Sequence, residues 1–325
     1  VERIFGEGEN QVNALQLTTT ADLAGELAKP VGLAPSELAP GFYPGYPESN
    51  YHRRELGVAS TTAIKLALKS AAHYKAWVDG ASDEDDAEPA PALSLGKAIH
   101  MALLEPARFA EQYVIAPDFG PLRAGADTGV TTEQGRENKA RKAAWTTEHK
   151  GATILDSKSG AATLGMVRSV AAHPLARTLL TDGLPELTLR WDDPETRLIC
   201  KARADFYRRD IGVAIDVKST TDARPHAFRR SVESYGYYLQ SEHYRSGFET
   251  LGEPLSHFVF IAVEKAAPHG VRIYTLGEPS RDAGRSRVRR AMKTLAEACA
   301  SRVFESYPET IEPLDLSPWA LKENS

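Results

Sequence analysis

The stretch CKARADFYRRDIGVAIDVKST, residues 200–220, decides the fold. Two runs rich in apolar residues flank the short polar break RRDI; the first carries Asp205 near its end, and the second carries Asp216 with Lys218 close behind. Charges at the ends of apolar strands are costly to bury unless they find partners. Alternation along a strand puts Asp216 and Lys218 on one face and Val217 on the other. A hairpin through RRDIG brings Asp205 and Asp216 together. Two adjacent carboxylates each disfavour the ionisation of the other, a conflict that a divalent cation removes. Mg²⁺ suits such a place, because it prefers oxygen ligands and is held by one or two carboxylates with water and phosphate oxygens. Lys218 can then hold, polarise or deprotonate a water, or offset charge building on phosphorus. The same spacing also describes a plain ion pair on an edge strand, so the surrounding sequence has to decide.

Working outward, ELTLRWDD from Glu186 reads as a strand that precedes this hairpin, through the connection DPET. Downstream, PHAFRRSVESYGYYLQSEHYRSGFETLG reads as one long helix ending near Gly252. SHFVFIAVEK and GVRIYTL read as two more strands, and SRDAGRSRVRRAMKTLAEACASRVF as a basic helix. Upstream, STTAIKLALKSAAHYKAW opens with helix-capping residues, SDEDDAEPAPA is an acidic loop, and LSLGKAIHMALLEPARFAEQY is a helix broken at Pro106. Residues 116–150 are polar and mixed in charge, and SKSGAATLGMVRSVAAHPLARTLL returns to a helical pattern. Residues 1–52 are rich in Pro, Gly and Ala, with one short helix expected near TADLAGELA; Phe42, Tyr43 and Tyr46 read as packing residues that pin the end of this lead-in. Helices, three strands, a helix, two strands and a helix predict an α/β or α+β fold with a central mixed sheet flanked by helices.

Three further positions bear on the acids. Glu186 opens the first strand of the trio and offers a third carboxylate. His100 stands on an otherwise apolar helix, where it is either a satisfied core histidine or a ligand. Gln240 and Tyr244 lie four apart on a helix and so share a face. By contrast, Glu264 and Lys265 are adjacent on a strand and point to opposite faces. They cannot form an acid-x-lysine unit, although Glu264 alone could face the site.

Taken in order, these pieces resemble the PDDEXK nuclease superfamily, and within it the exonuclease VIII (RecE-type) family. The resemblance rests on GFYPGYPESNYH, STTAIKLALKSAAHYKAW, LGKAIHMALLEPARF, AAHPLARTLL, ELTLRW, LICKARADFY, AIDVKSTTDA, YGYYLQSEHYRSGF, FVFIAVEK and a tail IEPLDLSPWA, over roughly residues 41–320. It implies a domain over 41–325, helical at first and strand-rich from about 186, preceded by an arm over 1–40 to which it assigns nothing. It implies that His100, Asp205 and Asp216 ligate Mg²⁺, or Mn²⁺ in its place, with the Val217 carbonyl as a backbone ligand. It further implies that Lys218 activates the attacking water, that Glu186 is an accessory acid, and that Gln240 and Tyr244 support the site and the DNA backbone. Asp216 stands where many members carry Glu, so its shorter side chain must sit closer to the metal. The activity implied is 5′→3′ degradation of linear double-stranded DNA, leaving 3′ single strands for a RecT-type annealing protein, by a homo-oligomeric ring, tetramer first and trimer second.

The whole composition is compatible with this and narrows it. The 325 residues are 42% apolar and 26% charged, with a net charge of −5, so positive charge for DNA has to be local. GRENKARKAAW, RPHAFRR and GRSRVRRAMK are the candidate patches. The two cysteines, Cys200 and Cys299, form no metal-like spacing, which argues against an iron–sulfur end trimmer of the CRISPR-associated kind. No G-x-x-x-x-G-K-[ST] loop is present, which argues against ATP-driven unwinding by this chain. No apolar run approaches the roughly 18 residues of a membrane span, and a cytoplasmic protein is expected. An endonuclease on the same fold and a non-catalytic DNA-end-binding protein are the competing readings. The intact Asp205, Asp216 and Lys218 weigh against the second.

Overall fold

The computed structural model describes residues 32–81 and 90–316, apart from 124, 126, 127 and 130. The helix expected near TADLAGELA and most of the acidic loop lie outside these residues. After a short 3-10 turn at Pro35–Glu37 the chain lays down β1 (Gly41–Tyr43), α1 (Glu48–Tyr51), β2 (Val58–Ala59), α2 (Thr61–Lys69) and α3 (Ala71–Val78). Ser60 and Ser70 cap α2 and α3, accepting from the backbone N–H of Ala63 and His73 at 3.2 and 3.3 Å, so a free donor at each helix start is satisfied. Next come α4 (Ala90–Leu104), α5 (Pro106–Gln112), β3 (Tyr113–Ile115), α6 (Thr132–Glu148), β4 (Thr153–Leu155), α7 (Ser157–Ala172) and α8 (Pro174–Leu179). The break at Pro106 falls as predicted, because the proline ring forbids continuation but suits the first position of α5.

The predicted strand trio is β5 (Leu184–Asp192), β6 (Ile199–Arg208) and β7 (Val213–Thr220). The predicted long helix is two: α9 (Pro225–Ser234) and α10 (Tyr237–Thr250), separated at Gly236, whose φ of 66° is left-handed. β8 (His257–Glu264), β9 (Val271–Tyr274) and α11 (Glu278–Ser301) complete the described chain. A second difference is α6, a helix of 17 residues inside the polar stretch 116–150.

Seven of the strands form one mixed sheet in the order β1-β5-β6-β7-β8-β9, with β2 added in parallel to the start of β6, and β3 and β4 pair in parallel as a separate two-stranded sheet. Along the main order β7 and β8 are parallel, and the other neighbours are antiparallel. Helices cover both faces. On one, Ile64 of α2, Tyr74 of α3, Phe248 of α10 and Met292 of α11 pack against Leu187, Leu189, Trp191 and Phe260. On the other, Ile99 and Leu103 of α4 and Met166 of α7 pack against Ile215, Val217 and Ile261. Close approach of α10 to the sheet depends on Gly247, where a Cβ would meet the Trp191 ring at 2.7 Å.

Two irregularities prepare the site. β6 pairs with β7 only over Phe206–Arg208, and with β2 only at Ile199 and Cys200. Between these contacts β6 has β5 on one side and a gap in the sheet on the other. Alternation also slips by one residue here. Cys200, Ala202 and Ala204 face the larger core, yet so does Tyr207, while Phe206 enters the opposite core. On β5 the same slip falls at Glu186, a non-glycine residue at φ 49°. Such a conformation costs about 1–3 kcal/mol and persists only where its surroundings impose it.

Candidate active site

The predicted residues reach the gap from α4, β5, β6, β7 and α10. Continuing the registers of β5–β6 and β6–β7 sets Glu186 opposite Asp205 and Asp205 opposite Asp216. Three carboxylates therefore stand in one row across three strands. Asp205 Oδ2 accepts from the Val217 backbone N–H at 2.7 Å, which fastens the two strands where their regular pairing has ended. From α4, on one face of the sheet, His100 Nε2 lies 2.6 Å from the Val217 carbonyl and Nδ1 lies 3.4 Å from Asp205 Oδ2. From α10, on the opposite face, Gln240 Nε2 donates to Asp216 Oδ1 at 2.6 Å. Tyr244, one turn further along α10, interacts with Gln240 and with Tyr51 of α1. Lys218 Nζ forms an ion pair with Asp216 Oδ2 at 2.7 Å and lies 4.7 Å from the centre of the Tyr237 ring.

The electrostatics follow from crowding and burial. Burial and the neighbouring Asp205 push the Glu186 carboxyl up to about 7, against the pull of Arg203 and His100. Burial and the Asp216 charge raise Asp205 well above the usual carboxylate range. Burial and the nearby Lys218 ammonium lower His100. Burial also works against the Lys218 ammonium, but the Asp216 and Asp205 carboxylates outweigh it and hold that pKa above its ordinary value. Arg203 and His100 thus only partly offset the crowded carboxylates on the Glu186–Asp205 side, whereas Asp216 is paired directly with Lys218.

That asymmetry bears on metal binding. His100, Glu186 and Asp205 each offer a ligand atom, and these atoms lie within 4.8 Å of one another. A neutral His100 that donates from Nε2 to the Val217 carbonyl turns the Nδ1 lone pair toward a carboxylate oxygen, a contact that requires a proton or a cation between them. The donors, two carboxylates and an imidazole with a backbone carbonyl beside them, fit a divalent cation. The resemblance implies a set of His100, Asp205, Asp216 and Val217. In the structure both Asp216 oxygens are engaged, by Gln240 and Lys218, and it is Glu186 that joins His100 and Asp205. Glu264 lies apart from the group, accepting from the Ala223 backbone N–H at 2.9 Å.

Three neighbours of the site were not singled out by the sequence reading: Arg203, Tyr51 and Tyr237. Only Arg203 carries a local signal, standing two residues before Asp205. The basic patches also sort differently from expectation. In GRSRVRRAMK, Arg285 and Arg289 staple α11 to Glu242 of α10 and to Asp193 beyond β5, at 3.2 and 2.5 Å, and Arg287 covers the Tyr238 ring. In RPHAFRR, Arg224 pairs with Asp222 at 2.7 Å while Arg229 and Arg230 are exposed. In GRENKARKAAW, Arg136, Lys139, Arg141 and Lys142 are all exposed on α6.

The chain belongs to a PDDEXK-like family: the family described as "PDDEXK-like domain of unknown function (DUF3799)" matches residues 60–316. Among solved structures, the chain is similar to a candidate exonuclease from Eubacterium rectale, 12% identical, over 85% of this chain and 97% of that one, with a TM-score of 0.52. A phage related exonuclease from Haemophilus somnus 129PT is 13% identical over 57% of this chain and 92% of that one, with a TM-score of 0.29, too low to carry an argument. At such identities the likeness speaks for the fold alone. Among curated proteins no sequence match is found. No described helix is long and apolar enough to cross a membrane.

Proposed function

We propose that the chain is a Mg²⁺-dependent exodeoxyribonuclease that degrades linear double-stranded DNA from its ends, with Mn²⁺ able to replace Mg²⁺. One observation carries this reading. Ligand atoms of Glu186, Asp205 and His100 converge within 4.8 Å at a gap in the sheet, and the next acid in the row, Asp216, holds Lys218. A structural ion pair needs no such row, because crowded carboxylates oppose each other's ionisation.

Glu186, Asp205 and His100 would hold the cation, with the Val217 carbonyl as a further protein donor, while Asp216 serves as the counter-ion of Lys218. When bound, it supplies Lewis-acid polarisation of a phosphodiester oxygen and neutralises charge that builds during displacement. Lys218 presents an ammonium with three donors at a fixed place, held between Asp216 and the Tyr237 ring. There it orients the attacking water and balances charge developing on phosphorus. Gln240 fixes Asp216, and Tyr244 fixes Gln240, so the lysine's counter-ion is itself immobilised. Phosphate contacts come from exposed Arg and Lys away from the site, those of α6 and the end of α9 first, which gives binding without sequence preference.

The direction 5′→3′, the delivery of 3′ single strands to a RecT-type annealing protein, and a ring-shaped tetramer or trimer rest on the resemblance to RecE-type nucleases. So does the division into an arm over 1–40 and a catalytic domain over 41–325. Linear and covalently closed duplexes of one sequence, incubated side by side with Mg²⁺, test the exonuclease reading. Loss of the linear form alone is the expected result. Cutting of the closed circle would make the chain an endonuclease, and binding of ends without loss of either form would make it a non-catalytic end binder.

A further inference from the structure

The residues assigned so far leave one buried charge beside the site without a task. Arg203 stands on β6 two residues before Asp205, with only 10% of its side chain exposed. Its Nε donates to Glu186 Oε2 at 2.8 Å, and its Nη2 donates to the Tyr46 carbonyl at 3.1 Å. Its Nη1 is buried and has no hydrogen-bond partner. The guanidinium carbon lies 5.5 Å from the centre of the Tyr51 ring. Lys201, two residues earlier on the strand, does something parallel. Its ammonium donates to the Tyr51 and Arg53 carbonyls, both at 2.6 Å. Two buried cations of β6 therefore bind the segment 41–55 through its backbone oxygens, and one of them also grips a candidate ligand.

We propose that Arg203 is a positioning residue of the metal site, which fixes the Glu186 carboxylate toward His100 and Asp205 and locks the 41–55 segment beside it. The inference rests on the metal-dependent reading above. Glu186 needs such a partner for two reasons. Its backbone is left-handed, so the strand alone does not hold its side chain in place. Its carboxylate faces Asp205, so without a cation nearby the two acids repel and the side chain swings away. A guanidinium meets both needs, since its planar fork bonds Glu186 through one nitrogen while another is anchored to Tyr46. An ammonium at this position reaches one of the two acceptors and leaves the other unpaired. The role differs from generic stabilisation, because the group it orients is a ligand, and a partner of that kind changes metal affinity about 10- to 100-fold.

Mn²⁺ binding to the full chain, followed by the electron paramagnetic resonance signal of free Mn²⁺ well below the melting temperature, tests this. Arg203→Met weakens Mn²⁺ binding by about 10- to 100-fold, and Arg203→Lys falls between it and wild type. Adding Arg203→Met to Glu186→Gln costs little further affinity, since the orienting partner has nothing left to orient. A lower melting temperature with unchanged Mn²⁺ affinity in Arg203→Met would overturn the proposal and leave a purely structural arginine. If Arg203→Met does not fold, Arg203→Lys, which keeps the buried charge, decides, and wild-type affinity in that variant overturns the proposal as well. Failure of the underlying reading is distinguishable: in that case the wild-type chain itself binds no Mn²⁺.

Discussion

Replacing Glu186 by Gln should stabilise the metal-free protein at alkaline pH and leave it almost unchanged at acid pH. The carboxyl is pushed from its ordinary 4.5 up to about 7 by burial and by Asp205. Between these two values the folded chain holds a proton that the unfolded chain releases. Stability is therefore lost as pH rises through that window, and the loss is complete above about pH 7. A shift of two to three units corresponds to about 3 kcal/mol. Glutamine has a similar shape and no charge to desolvate, so it escapes this loss, although it weakens the bond to Arg203. His100 and His243, both held below the ordinary histidine value by burial, give slopes of opposite sign. His243 titrates in wild type and variant alike, whereas His100 loses the upward pull of the Glu186 charge in the variant, so the difference between the two proteins reports Glu186 together with its coupling to His100. Urea unfolding in EDTA at several pH values from about 4 to about 8, on the order of one unit apart, provides the assay. The variant gains about 3 kcal/mol over wild type by the upper end and nearly nothing at the lower end. Saturating Mg²⁺ reverses the order, because wild type then gains binding energy that the variant has lost. A difference independent of pH would refute the claim that the carboxylates are crowded in the metal-free site.

Further expectations concern other parts of the account. Lys218→Ala should lower the cleavage rate by about 10²- to 10⁴-fold; a near-normal Lys218→Arg variant in single-turnover assays would show that the position needs only a charge. His100→Leu should fold, since α4 packs its other apolar residues into the sheet, and should raise the Mg²⁺ concentration needed for half-maximal rate; an unchanged requirement would make His100 a core residue. Gly247→Ala should destabilise the fold by about 1–3 kcal/mol, because its Cβ would meet the Trp191 ring at 2.7 Å; a melting curve like that of wild type would show that α10 can shift away from the sheet.

How much of this was legible in the sequence depends on the physics of each element. The hairpin of β6 and β7 was readable because strand alternation and a polar break are local signals, and the pairing of Asp205 with Asp216 follows from them. Helix α6 was missed because its 17 residues bury only Gly135 and so show no apolar period; the capping box of Thr131 and Gln134 was its one available cue. The break between α9 and α10 was missed because Gly236 lies in an otherwise helix-forming run, and a single glycine does not announce a left-handed turn. The strands β1 and β2 span three and two residues and exist through their tertiary partners β5 and β6. At the site, the acids, His100 and Lys218 were named from residue type and order. The share of each was not readable. The left-handed backbone at Glu186, which aims a supposed accessory acid at His100 and Asp205, has no sequence signature for a non-glycine residue. The buried partners Arg203 and Tyr51 come together only once the 41–55 segment lies beside β6.

The central claim is that these residues form one metal-dependent site for phosphodiester hydrolysis. It is tested most directly by following a linear duplex, labelled at either end, with wild type and Asp216→Ala, in Mg²⁺ and in EDTA. The account predicts cleavage from the ends by wild type in Mg²⁺ alone. It also predicts that Asp216→Ala binds the duplex at least as well as wild type, since a carboxylate near the phosphates is gone, yet does not cut it. Cleavage by Asp216→Ala at the wild-type rate, or cleavage by wild type in EDTA, would contradict it.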